Sequence, residues 1–251
     1  METLRPTIVF APGAWHSSEC FYPVVERLHA RGWSTESVSY PSYGAEPPNK
    51  TLIDDVASVR TTLEQLINQG REIVLVAHSY GGLVAANATE GLAKEHQAKV
   101  GRKGGVIMLV YLAAFVVPKG KGMADMFGGQ LPSWINGNNC IPQNPVELFY
   151  HDVGEKDLKQ AISQLKHTSA IAYHTEALYE PWQDMPCLYF FCEQDRTIPI
   201  ATQKAFAASL GTDAFEFTCS ASHSPFLSMP DKVVEGLEYA ARVARQEQGS
   251  N

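Results

Sequence analysis

The sequence predicts an α/β domain built on a mostly parallel, doubly wound sheet with helices on both faces. Short apolar runs without polar alternation recur along the chain, as expected of strands buried on both faces. Amphipathic stretches with helical spacing separate them, and that alternation is the pattern of parallel sheets. The chain has 251 residues, 45% apolar and 19% charged, enough for one large domain with a substantial core.

The elements follow in order. Thr7–Ala11 (TIVFA) reads as the first strand. Phe21–Arg31 reads as a helix with Val24, Val25 and Leu28 on one face, and Gly32 stops it. Glu36–Tyr40 is a weaker strand. Leu52–Gln69 is a helix whose apolar face carries Ile53, Val56, Val59, Leu63 and Ile67. Glu72–Ala77 is a buried strand, followed by a helix over Gly82–Lys94. Val106–Ala113, Cys187–Cys192 and Ala214–Thr218 read as fully buried strands, and Val233–Arg245 as the closing helix. Between Pro118 and Pro186 the rhythm breaks. Gly128-Gly129, Pro132, Gly137, Pro142 and Pro145 precede a helical pattern over Glu155–Leu165. Residues 1–117 and 187–251 therefore read as the core, and 118–186 as a cap insertion within a single domain.

Composition excludes several classes of function. Lys plus Arg is 20 against 27 Asp plus Glu, a net charge of −7. Such a chain is poorly suited to phosphate backbones or anionic lipid, so neither nucleic acid nor membrane is expected as a partner. The longest apolar run, Gly105–Val117, falls short of the about 20 residues that span a bilayer. The opening METLRPTIVF lacks the basic and apolar regions of a signal peptide. The five cysteines show no metal-ligand spacing, which favours reduced thiols, a cytoplasmic setting and no metal.

The chemistry concentrates where a buried strand ends at Ala77 and runs into His78-Ser79-Tyr80-Gly81-Gly82 before a helix. This is a nucleophile elbow, A-H-S-Y-G for G-x-S-x-G. The turn is so tight that strand and helix backbones nearly touch, so only Gly or Ala fits two residues either side of the serine. It pushes the Ser79 hydroxyl off the carboxyl edge of the sheet and aims a helix N-terminus at developing negative charge. A serine hydroxyl at its free pKa is a weak nucleophile and needs a base. With this elbow the acid and then the histidine follow in chain order. Asp195 and His223 each follow a predicted strand, on the same sheet edge as Ser79. His223 is assigned as general base and Asp195 as the group that orients it. Glu193 is the competing acid, closer to its strand and less free to project. The other seven histidines precede Asp195, out of order. The oxyanion hole needs two backbone N–H groups, expected from Tyr80 and from Ala14 in the loop Ala11-Pro12-Gly13-Ala14-Trp15-His16.

These features resemble the α/β-hydrolase fold over nearly the whole chain. More narrowly, Val9-Phe-Ala-Pro-Gly-Ala-Trp-His-Ser-Ser-Glu-Cys-Phe-Tyr is similar to the first loop of the plant methylesterase and hydroxynitrile lyase branch, V-H-G-A-x-H-G-x-x-C-W. Pro12 stands for the usual His and Ser17 for a Gly. Cys192-Glu-Gln-Asp-Arg-Thr-Ile-Pro199 and Ser222-His223 also resemble that branch. The resemblance implies roles for Ser79, Asp195 and His223 and a cap over the pocket; the sequence shows no metal cluster or phosphate loop, so no cofactor is expected. In the lyases of the branch a lysine follows the histidine and a threonine hydroxyl sits in the first loop. Here those positions are Ser224 and Gly13, which weakens the lyase reading. A serine nucleophile also argues against the dehalogenase and epoxide hydrolase branches.

The expected function is a serine esterase or lactonase acting on a small, largely apolar molecule. Gly13, Trp15, Phe127, Leu131, Trp134 and Phe149 are the expected substrate-binding residues, with Met123, Met126, Ile135, Leu148 and Tyr150 as further cap candidates. A thioesterase or acyltransferase with the same triad is the first alternative. A slow-turnover, receptor-like binding protein is another, and hydroxynitrile cleavage ranks below both.

Overall fold

The computed structural model describes residues 5–128 and 135–249. Six parallel strands form the central sheet: β1 (Thr7–Ala11), β2 (Thr35–Ser37), β3 (Glu72–His78), β4 (Gly105–Leu112), β8 (Cys187–Cys192) and β9 (Phe215–Cys219). Their order is β2-β1-β3-β4-β8-β9. β3, which ends at the serine elbow, is thus interior, flanked by β1 and β4.

Side chains alternate across the sheet and feed two cores. Ile8 and Phe10 of β1 with Val74 and Val76 of β3 pack beneath helices α1 (Tyr22–Ala30) and α10 (Pro230–Gly249). Val9, Ala11, Ile73, Leu75 and Ala77 face α2 (Leu52–Asn68) and α3 (Gly81–Ala88) on the other side. This is the two-faced burial that the unbroken apolar runs predict. α2 starts on a capping box, with Thr51 N–H donating to Asp54 Oδ2 at 2.8 Å.

Several elements differ from the sequence reading. The second strand is only Thr35–Ser37. The helix expected over Gly82–Lys94 stops at Ala88, and a separate α4 covers Lys94–Lys99. Gly91, at φ +74°, turns the chain between them, and Ala93 bridges Val106. On α2 the polar–apolar register also departs from pattern: Ile53 is 65% exposed while Asp55 is fully buried. β9 is half exposed instead of buried, because an edge strand is covered by one neighbour only.

Between β4 and β8 the chain leaves the sheet. It forms α5 (Met123–Met126), a small antiparallel sheet of β5 (Ile135–Asn136), β6 (Asn139–Cys140) and β7 (Thr168–Ser169), then α6 (Pro145–Phe149) and α7 (Glu155–Gln164) within it. α8 (Ile200–Ala208) and the short α9 (Pro225–Ser228) complete the fold. No helix among the described residues is long and apolar enough to cross a membrane.

Candidate active site

The elbow is built by close approach. Ser79 has φ +53°, a left-handed conformation that costs a non-glycine residue about 1–3 kcal/mol and persists only where neighbours over-determine it. Its N–H donates to Leu112 O at 3.3 Å, and its carbonyl accepts from Gly82 N at 3.0 Å and Phe115 N at 3.1 Å. Both glycines after it are sterically required. A Cβ on Gly81 would lie 2.6 Å from Pro12 O, and one on Gly82 only 2.3 Å from Phe115 O. Tyr80 stands at the N-cap of α3, where helix N–H groups lack intrahelical acceptors.

Asp195 and His223 project from the ends of β8 and β9. Asp195 Oδ2 lies 2.7 Å from His223 Nδ1, and both side chains are shielded from solvent. Asp195 Oδ1 accepts Thr197 N–H at 2.7 Å and Ile198 N–H at 2.9 Å. Gln203, from α8, approaches Oδ2 at 3.4 Å. These donors hold the carboxylate so that its second oxygen faces the imidazole. A carboxylate only accepts, so Nδ1 carries the proton and Nε2 is left as the base. Glu193 instead accepts from Ser220 Oγ at 2.6 Å on the exposed side.

His223 is held from behind by another imidazole. His78 Nε2 donates to the His223 carbonyl at 2.8 Å, and the rings lie 4.6 Å apart. Complete burial pushes the His78 pKa well below its ordinary value, so the ring stays neutral. Its Nδ1 points at Gly13, where a Cβ would lie 2.8 Å from Nδ1 and 3.1 Å from Ser79 Cβ. Gly13 thus allows the first loop to lie against the serine.

Ser79 opens into a cavity of about 120 Å³ lined by Ala14, Trp15, Tyr80, Phe115, Met123, Phe127, Gln143, Leu148, Phe149, Tyr173, Arg196 and Thr197. Of the expected substrate contacts, Trp15, Phe127 and Phe149 line it. Gly13 packs against His78 and Ser79 instead. Leu131 and Trp134 lie outside the described residues. Tyr150, a cap candidate, is buried against His16. Sequence reasoning missed Phe115, Gln143, Tyr173, Arg196 and Thr197. Phe115 could have been found, since it directly follows β4 beside the elbow. Gln143 and Tyr173 carry no local signal, because irregular chain brings them over the cavity. A larger surface cleft of about 370 Å³, between α1 and α7, does not contain Ser79.

The profile of the alpha/beta hydrolase family matches residues 8–236. The chain belongs to the alpha/beta hydrolase family. This alpha/beta hydrolase is 30% identical to the alpha/beta hydrolase nvfD of Aspergillus novofumigatus, over 95% of its own chain and 97% of that protein. It is 22% identical to polyneuridine aldehyde esterase of Rauvolfia serpentina, covering 90% of each chain. Its backbone superimposes on the Arabidopsis methylesterase MES16 with a TM-score of 0.76 at 19% identity, covering 95% of this chain and 99% of that one. The resemblance to plant methylesterases drawn from the first loop thus extends over the whole alpha/beta hydrolase domain.

Proposed function

We propose that this chain is a serine hydrolase that cleaves a carboxylic ester or lactone of a small, largely apolar molecule. The buried Asp195–His223 pair at 2.7 Å, beside a cavity floored by a left-handed serine, carries this reading. Ser79 Oγ attacks the carbonyl carbon as His223 Nε2 takes its proton. Negative charge develops on the carbonyl oxygen, where the N–H groups of Ala14 and Tyr80 receive it. His223 returns the proton to the leaving alcohol. It then deprotonates the water that releases the acid from Ser79.

The cavity supports a short acyl group. Trp15, Phe115, Met123, Phe127, Leu148 and Phe149 supply an apolar wall, and a cavity of about 120 Å³ is small for a ligand pocket. Phe127 is 36% exposed, leaving a side toward solvent for the alcohol portion. All five cysteines are buried free thiols, in keeping with a reducing, cytoplasmic setting.

The test is hydrolysis of a p-nitrophenyl ester series. Acetate to butyrate should turn over with kcat/KM falling steeply beyond about six carbons, and Ser79→Ala should abolish turnover. Preference for acyl thioesters over the matched oxygen esters would replace the esterase reading with the thioesterase one.

A further inference from the structure

The loop that carries Ala14 is held from outside the sheet. Trp15 has φ +66°, a left-handed conformation in a bulky residue. Its indole Nε1 donates to Cys140 O at 3.0 Å, and its ring stacks on Phe149 at 5.3 Å. Its carbonyl accepts Lys166 N–H at 3.2 Å. Next to it, His16 Nδ1 lies 2.7 Å from the Ala14 carbonyl, and Tyr150 Oη lies 2.8 Å from His16 Nε2. Cys140, Phe149, Tyr150 and Lys166 all belong to the chain between β4 and β8.

The direction of this relay follows from donor chemistry. A carbonyl only accepts, so His16 Nδ1 carries a hydrogen. Burial lowers the His16 pKa to about 4, so the ring is neutral near pH 7 and Nε2 is an acceptor. The Tyr150 hydroxyl must therefore donate to it. The order is Tyr150 O–H to His16 Nε2, then His16 Nδ1–H to Ala14 O.

We infer that Tyr150 and His16 are positioning residues that clamp the Ala14–Trp15 peptide by its carbonyl, so that the segment over the sheet steadies the loop that presents the Ala14 N–H. This rests on the role proposed for Ala14. With the Ala14 and Trp15 carbonyls both fixed, the two peptides flanking Trp15 cannot rotate, and they anchor the Gly13–Ala14 peptide one Cα away. Loss of the relay lets Trp15 relax toward negative φ and loosens the loop that holds the Ala14 N–H against the cavity. The oxyanion exists only along the reaction path, so the loss falls on the chemical step and not on binding.

The experiment follows phosphonylation of Ser79 by a fluorophosphonate, a reaction that also develops an oxyanion, with intact mass giving the limiting rate and the half-saturating concentration. Tyr150→Phe removes one oxygen and keeps the ring. Its limiting rate should fall about tenfold or more, with half-saturation within about twofold. His16→Asn keeps a donor near the Nδ1 position and should recover much of the rate lost in His16→Leu. Thermal melting confirms that each variant is folded. An unchanged limiting rate in folded Tyr150→Phe overturns the inference, as does a change confined to half-saturation, or His16→Asn no faster than His16→Leu. Labelling of Ser79→Ala at the wild-type rate would instead sink the serine reading itself.

Discussion

Tyr80 donates its hydroxyl to Asp55 Oδ2 at 3.0 Å, tying the residue that follows the elbow serine to a carboxylate buried on α2. Ser42 completes the cradle, its Oγ 2.6 Å from Oδ2 and its N–H 2.9 Å from Oδ1. Burial is the larger effect on Asp55 and raises its pKa to about 6 against the lowering by these donors.

A folded pKa raised from 3.8 to about 6 means that the contribution of Asp55 to stability is fully present below pH 3.8 and is lost as pH rises through about 6. Asp55→Asn carries no such titration. The melting temperature of the wild type relative to Asp55→Asn should therefore fall as pH rises from about 4 to 6.5, then level off. A difference that is flat across this window, measured by scanning calorimetry, would contradict the assignment.

Asp195 holds its geometry through two backbone donors that do not need its charge. Asp195→Asn should thus fold normally and still place its side chain beside His223. It loses the acceptor that fixes the imidazole tautomer, and kcat on an aryl ester should fall about 10⁴-fold. A loss under tenfold would remove Asp195 from the triad.

Gly82 meets the Phe115 carbonyl at a distance that no Cβ tolerates. Gly82→Ala should lower the melting temperature by about 5 °C or prevent folding, through overpacking of a backbone contact. Gly154 is the control, with φ −62° and nothing within 4 Å of its added Cβ. Gly154→Ala should change the melting temperature by no more than about 1 °C.

Leu148 lies on the cavity wall and is only partly buried, so truncating it widens the acyl site without opening the core. Leu148→Ala should raise the hexanoate-to-acetate ratio of kcat/KM about tenfold. An unchanged ratio would place the acyl group elsewhere in the cavity.

The fold and the placing of Ser79, Asp195 and His223 after strands were legible because each left a local mark. Unbroken apolar runs such as EIVLVA betrayed strands buried on both faces, and Gly81-Gly82 after Ser79 marked a turn without room for side chains. The order of Ser79, Asp195 and His223 followed from their places after strands. Asp55 was hidden for the opposite reason. It lies one turn before Val59 on α2, but a carboxylate is a residue type rarely buried, and its donors, Ser42 and Tyr80, lie 13 and 25 residues away in sequence. β9 carries apolar residues yet lies at the edge, and sheet order is not written in a strand's own composition. The His16–Tyr150 contact spans 134 residues, so only the folded chain brings it together. The cavity is likewise assembled from separate loops, which is why Trp15 was foreseeable beside the elbow and Tyr173 was not.

The proposed esterase chemistry requires Ser79 to be an activated nucleophile. Intact-protein mass after incubation with a fluorophosphonate, on wild type and Ser79→Ala side by side, tests it most directly. One adduct on the wild type and none on the variant is the expected result. An unmodified wild type, or an equal adduct on both proteins, would contradict it.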